Sequence, residues 1–491
     1  MNSNAVGTTA GQPASSASAP WPQIPWLDRA RTVAPPGFNR WLIPPAALAV
    51  HLCIGQVYAT SVYKTALVQH FNVGQTEIGV IFSIAIVMLG VSAAVFGTWV
   101  ERAGPRKAMA VSALCWTAGF LVGALGIFTS QLWLVYLGYG VIGGIGLGIG
   151  YISPVSTLMK WFPDRPGMAT GMAIMGFGGG ALVASPLSST LLQAFDPTDS
   201  GAAGWVPSGT AVGLLFITLA VIYAFYMLLG ALMIRVPAEG WRPAGYNPPA
   251  QSSDDAPGKG MANVSAKNAI RTPQFWLLWI VLFCNVTAGI GILEQASPMI
   301  QDFFRNASGD STVSAAVAGG FVGLLSLGNM LGRFIWSSTS DVVGRKGIYV
   351  LYLGLGAVLY LLLATVGSST TLVFVALALV ILSFYGGGFA TIPAYLRDLF
   401  GTYQVGAIHG RLLTAWSAAG IAGPLIVNGI LDSRGAPGTL MAGDYQPALF
   451  TMVALLVLGL VANLLVRPVS AKYHEPKSRA EAGATSKGEA R

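Results

Sequence analysis

Two short charged segments some 240 positions apart, Glu101-Arg102-Ala103-Gly104-Pro105-Arg106-Lys107 and Asp341-Val342-Val343-Gly344-Arg345-Lys346, each join two long apolar runs. In both, an acid is followed three residues later by Gly and then by basic residues. Gly at that point permits the left-handed or closely approached backbone that a tight turn between antiparallel helices needs. The cations hold such a turn at the inner face of a bilayer. Pro154 and Phe162 in the first half answer to Pro393 and Phe400 in the second at nearly the same offset. The pattern predicts a duplicated membrane protein, and repeats of this length are the architecture of carriers.

Composition agrees. Only 9% of residues are charged, against roughly 25% in a soluble domain, and the mean hydropathy is +0.63. The 491 residues have room for about a dozen helices of roughly 20 residues with short loops. Apolar runs predict them near 41–63, 76–99, 106–128, 131–154, 168–194, 210–235, 274–298, 313–338, 347–366, 371–394, 406–431 and 446–466. The expected fold class is an all-α membrane protein with twelve transmembrane helices in two pseudo-symmetric six-helix bundles, 41–236 and 272–467. A disordered tail is expected over 1–40, which is rich in Ala, Ser and Pro, and another over 468–491; a Pro- and Ser-bearing linker is expected over 237–271. The first forty residues contain no short apolar core of a cleaved signal.

The formal net charge is +8, but the cations are dispersed among apolar runs, which excludes a nucleic-acid face. With both termini inside, Lys64, Arg305 and Arg434 alone of the 27 Lys and Arg fall outside, and Arg333 falls within a span. That bias predicts a multi-pass membrane protein with cytoplasmic N and C termini. Cys53, Cys115 and Cys284 lie in predicted helices at no metal-ligand spacing and read as packing residues. Glycines cluster at Gly140–Gly150, Gly176–Gly180 and Gly386–Gly388, where small side chains let membrane helices approach. There is no Gly-x-Ser-x-Gly elbow, His-Glu-x-x-His pair or Walker lysine, so the chain reads as no enzyme, with no cofactor and no metal. Lipid and a small solute are the expected partners, and a monomer the expected state.

A guanidinium at mid-depth of a bilayer costs about 2.5–3.5 kcal/mol on insertion scales, so an intramembrane Arg should face a wet cavity or a partner. Arg333, eight residues before Asp341, is that residue, and an anionic substrate would pair with its planar fork. The bland alternative has it snorkel to backbone carbonyls. Asn329 stands one turn before it. Gln56, Tyr58, Tyr151 and Tyr385 supply candidate hydroxyl, amide and ring contacts for a small organic anion, although aromatics in membrane helices also face lipid. Glu294 and His51 are the candidates for a coupling proton, against a plainer reading of Glu294 as an interfacial residue at a helix end and of His51 as a hydrogen-bonded packing residue. Glu101, Arg102, Arg106 and Lys107 with Asp341, Arg345 and Lys346 read as a latch between bundle ends or, equally, as plain turns.

The turn motifs, the spans and the central linker together resemble the major facilitator superfamily over residues 41–466. Trp161-Phe162-Pro163-Asp164-Arg165-Pro166-Gly167-Met168-Ala169-Thr170-Gly171, continuing to Gly176-Phe177-Gly178-Gly179-Gly180, is similar to a signature of the oxalate:formate antiporter family and its monocarboxylate-porter relatives. So is Gly410-Arg411-Leu412-Leu413-Thr414-Ala415-Trp416-Ser417-Ala418-Ala419-Gly420 leading to Gly423-Pro424, and Tyr58-Ala59-Thr60-Ser61-Val62-Tyr63 resembles the helix-one motif, with Thr60 where a bulky aromatic is common. The resemblance implies that Arg333 binds a substrate carboxylate. Oxalate-specific members carry a Lys in helix eleven, whereas Leu412 to Leu431 holds no cation here, which suits a monoanion. Proton-coupled porters place an Asp four residues before the arginine, where this chain has Asn329.

These observations lead to an alternating-access carrier of a small monocarboxylate of the formate, lactate or pyruvate type, with a counter-anion or a proton. Oxalate:formate exchange proper and drug or metabolite efflux are the alternatives within transport. A membrane sensor that binds the anion without moving it is the alternative outside transport.

Overall fold

The structure, a computed structural model, describes residues 25–198, 206–246, 263–306, 311–313, 315–435 and 440–475. Twelve long helices build it: α1 Arg40–Ala59, α2 Gln75–Ala103, α3 Pro105–Phe128, α4 Leu132–Trp161, α5 Pro166–Phe195, α6 Gly209–Met233, α7 Pro273–Phe303, α8 Ala315–Val343, α9 Arg345–Val366, α10 Thr371–Phe400, α11 Val405–Asp432 and α12 Gln446–Leu465. After a break at Thr60, α1 continues as Ser61–Phe71. Among the described residues the β pairing is limited to two isolated bridges. The two turn glycines adopt positive φ, +85° at Gly104 and +87° at Gly344.

Among the described residues, eleven of the twelve helices hold a stretch long and apolar enough to cross a membrane. One face of α8 carries Ser326, Asn329, Arg333, Ser337 and Ser340, spaced three or four residues apart and all buried, while Leu331, Phe334, Ile335 and Val342 are exposed. This amphipathic helix is turned inside out, as a membrane span must be when its polar side chains serve the protein interior.

Helices two, four, eight and ten were expected to end at 99, 154, 338 and 394; they run on to Ala103, Trp161, Val343 and Phe400. Hydropathy marks the hydrocarbon thickness rather than the helix end. Pro154 and Pro393 lie inside α4 and α10, where membrane helices tolerate a missing donor.

The tails are also less featureless than composition suggests. Residues 25–40, expected to be disordered, form short turns that pack on the bundle: Val236 N donates to Thr32 O at 2.9 Å, and Ala34 N to Val236 O at 2.9 Å. Arg40 grips Asp164 with two bonds of 2.7 and 3.0 Å. Burial would raise the Asp164 carboxyl, but these bonds and the charges of Arg40 and Arg165 leave it below its ordinary value. Trp241 in the linker packs on Trp161 with ring centroids 4.7 Å apart. Ala266 N donates to Gln404 Oε1 at 2.8 Å, and Glu475 N to Asn263 O at 2.8 Å. Aromatic and capping residues scattered through low-complexity sequence supply this burial, and averaged composition hides them. The expected disorder of 1–24 and 476–491, and the linker residues 247–262, lie outside the described residues. Both tails and the linker share one side of the bundle, here the tail side.

The halves meet along α2 with α11 and α5 with α8. Glycine makes the approach possible: a Cβ on Gly97 would lie 3.1 Å from Ala407 Cα, and one on Gly171 3.2 Å from Phe334 Cα. The described hydrogen bonds between the halves join α1 to α10, α5 to α8, the loop before α5 to α10, and α2 to α11.

Candidate functional site

Arg333 is fully buried where α8 faces α5. Its Nε donates to Asn329 Oδ1 at 3.0 Å, one turn earlier on the same helix. Its Nη1 donates to Ile174 O at 3.3 Å, across the boundary between the halves. The guanidinium carbon stands 5.6 Å from the Phe177 ring centroid and 5.3 Å from that of Phe389, within range of a cation–π attraction. Nη2 is buried and has no partner among the described residues.

Gly178 makes room for this arrangement, because a Cβ there would meet Arg333 Nε at 2.7 Å and Cδ at 3.0 Å. Gly178→Val should therefore displace the guanidinium and reduce substrate uptake by about tenfold or more, the scale of a 1–3 kcal/mol overpacking penalty. Gly79, with open space around its Cα, is the control: Gly79→Ala should leave uptake near wild type at equal expression.

Aromatic rings enclose the arginine. Tyr58 from α1 and Tyr385 from α10 bring their hydroxyls to 3.2 Å. Phe177 of α5 packs edge-on to Tyr58 at 5.2 Å, Tyr151 at 5.5 Å and Trp416 at 5.2 Å, and Phe389 meets Trp416 at 4.4 Å. Tyr58, Tyr151 and Tyr385 all lie within electrostatic reach of Arg333. The Tyr151 hydroxyl and Trp416 Nε1, like Arg333 Nη2, are buried without a hydrogen-bond partner among the described residues. A buried donor left unpaired costs about 1–3 kcal/mol, more when charged. Here several collect around one cation, and none of these ring residues carries a negative charge. An acceptor-rich anion would satisfy them.

Of the other expected site residues, Asn329 orients Arg333, but Gln56 lies elsewhere. Its amide accepts from Tyr139 OH and donates to Tyr63 OH, both at 2.9 Å, inside the first bundle. His51 is buried against Tyr151 and bonds Tyr151 O through Nε2 at 3.2 Å. Glu294 is exposed, away from Arg333 and next to Asn428, whose Nδ2 donates to it at 3.5 Å.

The charged turns divide in the same way. Asp341 accepts from Gly167 N at 2.8 Å and Met168 N at 2.9 Å, so it caps the start of α5 in the opposite half. Arg345 steadies it at 2.6 Å and reaches Asp398 at 3.0 Å. Glu101 does the pseudo-symmetric task, accepting from Ala407 N at the start of α11 at 3.2 Å. Arg106 instead donates to Trp26 O, Ala231 O and Leu232 O, and Lys346 to Leu464 O and Val466 O. These two close helix ends within their own halves, because cations are drawn to free carbonyls at helix C-termini. Arg102 and Lys107 are exposed. Arg397 of α10, which the sequence did not single out, bonds Pro163 O across the halves with both Nη1 and Nη2 at 3.2 Å.

The family model described as Major Facilitator Superfamily matches residues 46–424 and 306–490. The chain belongs to the Major Facilitator Superfamily. Within it, the chain is similar to the oxalate:formate antiporter of Oxalobacter formigenes, 25% identical over 386 residues that cover 78% of this chain and 83% of that protein. It is similar also to apicoplast pyruvate carrier 1 of Toxoplasma gondii, 27% identical over 350 residues, covering 62% and 61%. Among solved structures, the facilitator FucP in its outward conformation matches with a TM-score of 0.60 at 14% identity, over 86% of this chain and 99% of that one. That likeness is one of fold.

On this facilitator fold, the ring residues that sequence reasoning did not choose are Phe177 and Trp416. Both lie inside the glycine-bearing motifs at the start of α5 and α11. Their signal was the motif itself: a large ring among small residues on a close-packed helix face fills the space the small ones leave.

Proposed function

We propose that this chain is a secondary carrier of small monocarboxylates, working by alternating access between bundles 41–236 and 272–467, with the tail side cytoplasmic and the bilayer a plasma membrane. One observation carries the reading: Arg333 Nη2, Tyr151 OH and Trp416 Nε1 are buried donors with no hydrogen-bond partner among the described residues, in one aromatic enclosure at the boundary between halves. A carboxylate offers two oxygens with about four lone-pair sites, enough to pair an Arg edge and a hydroxyl together. The rings suit a short carbon skeleton. The relatives named for oxalate:formate exchange and pyruvate transport lean the same way. A single charge fits better than two, since α11 has no cation between Leu412 and Leu431 and the second charge of a dianion would be buried unpaired. Asn329 cannot take a proton, so the arginine pair favours anion exchange over symport through those two residues.

Ligand-induced thermal stabilisation of the purified carrier tests this. Formate, lactate and pyruvate should raise the melting midpoint in proportion to RT ln(1 + [L]/Kd), oxalate less, and an amphipathic cation not at all. Stabilisation by the cation alone would replace the reading with efflux.

A further inference from the structure

Of the four histidines, His51 and His409 are buried, and they differ in what surrounds them. His51 bonds Tyr151 O within the first half. His409 belongs to the second half but packs its ring on Tyr151 of the first, 5.9 Å between centroids, and its Nε2 has no partner among the described residues. It also sits in the seam that closes the tail side. Two residues before it, Ala407 N bonds Glu101 of α2. One residue after it, Gly410 packs so closely that a Cβ would lie 2.8 Å from Ala93 C of α2. Parting α2 from α11 would therefore uncover His409, whereas His51 is held by elements of a single half.

From this geometry we infer that His409 is a proton-binding site whose occupancy follows the tail-side seam: empty when the seam is closed, filled when it opens to the cytoplasm. A cation at His409 in the closed state would carry an N–H with no acceptor in a dry interface. Once the seam opens, water supplies the acceptor and the imidazole titrates near its ordinary value of about 6.5. Proton uptake on opening means, by linkage, that acid favours the tail-open state, by up to about tenfold in population for each pH unit below that value. Toward the tail side the ionisable groups on the packed elements are Glu101 and Arg102 of α2, Tyr151 and Lys160 of α4, Tyr395, Arg397 and Asp398 of α10, Lys267 of the short helix Ala266–Ala269, and Arg411 beside the histidine; Glu77 of α2, Tyr136 and Tyr139 of α4, Cys284, Glu294 and Asp302 of α7, Tyr385 of α10 and Asp432 of α11 lie farther along their helices. None of these has an ordinary value near pH 6.5, and it is the loss of a transition there in the His409 variants that assigns it to His409.

The inference rests on the alternating access proposed above but not on the substrate. Spin labels at Arg102→Cys and Thr402→Cys, both exposed positions, would report the seam in lipid nanodiscs, with Cys53, Cys115 and Cys284 replaced by alanine. Lowering the pH from 8 to 5.5 should lengthen the label distance in the otherwise unaltered chain, with a midpoint near 6.5. His409→Gln and His409→Asn should remove the response, and His51→Gln should keep it. A flat response without the histidine changes, or one that survives both His409 substitutions, would overturn the inference. Adding monocarboxylate in the same experiment tests the substrate separately: a pH response with no anion response leaves the proton site standing and removes the anion.

Discussion

Arg333→Ala should lower kcat/KM for monocarboxylate uptake on the order of a hundredfold, with Arg333→Lys recovering only a small part of the loss. Truncating one partner of a buried, hydrogen-bonded charge pair costs about 2–5 kcal/mol, and each 1.4 kcal/mol is about a factor of ten. Lysine keeps the charge but not the planar fork. It could not hold Asn329 Oδ1 and Ile174 O as Nε and Nη1 do now while presenting a second edge to a ligand. Those same bonds tie α8 to α5, so the variants need a thermal-stability control. Uptake kinetics with labelled substrate at matched protein density measure the effect. An Arg333→Ala carrier that is folded and retains wild-type KM and kcat would remove the arginine from the site.

The second large effect is expected at Asp341. Asp341→Ala removes both acceptors from Gly167 N and Met168 N and leaves Arg345 without one of its two carboxylates. A carboxylate on the free N–H groups at a helix start is favoured by hydrogen bonding and by the helix dipole together. Because the cap lies on one half and the helix on the other, its loss falls on the tail-closed state alone. Two kcal/mol, a typical value for a cap with a charged partner, would shift the ratio of closed to open by about thirtyfold. Glu101→Gln should act in the same direction but less, since Glu101 accepts Ala407 N at the longer distance of 3.2 Å and Gln keeps an acceptor oxygen. Distances between spin labels across the tail side would show the shift as a longer population, and an unchanged distribution in Asp341→Ala would contradict the latch.

Much of the fold was legible because the bilayer imposes it. Twelve apolar runs, two equivalent turns and a biased distribution of cations leave few architectures. Arg333 was legible for a related reason: a cation at that depth is expensive, so it must have company. The rest depended on what faces what. Gln56 and Tyr151 looked alike as polar groups in predicted helices, yet Tyr63 and Tyr139 satisfy Gln56 while Tyr151 OH is left unpaired. Arg106 and Lys346 looked like Asp341 and Glu101 in their turns. Only the acids cross the boundary, because helix N-termini lie opposite them, whereas each cation finds carbonyls at a helix end of its own half. Arg397 was missed because nothing in its local sequence marks the opposite bundle as its neighbour.

The most direct test is uptake of labelled formate, lactate, pyruvate and oxalate into proteoliposomes, with and without carboxylate loaded inside, for the wild type and for Arg333→Ala. Saturable monocarboxylate uptake that internal carboxylate accelerates, and that the substitution removes, is the predicted result. No uptake of any of the four acids by folded wild-type protein would contradict it.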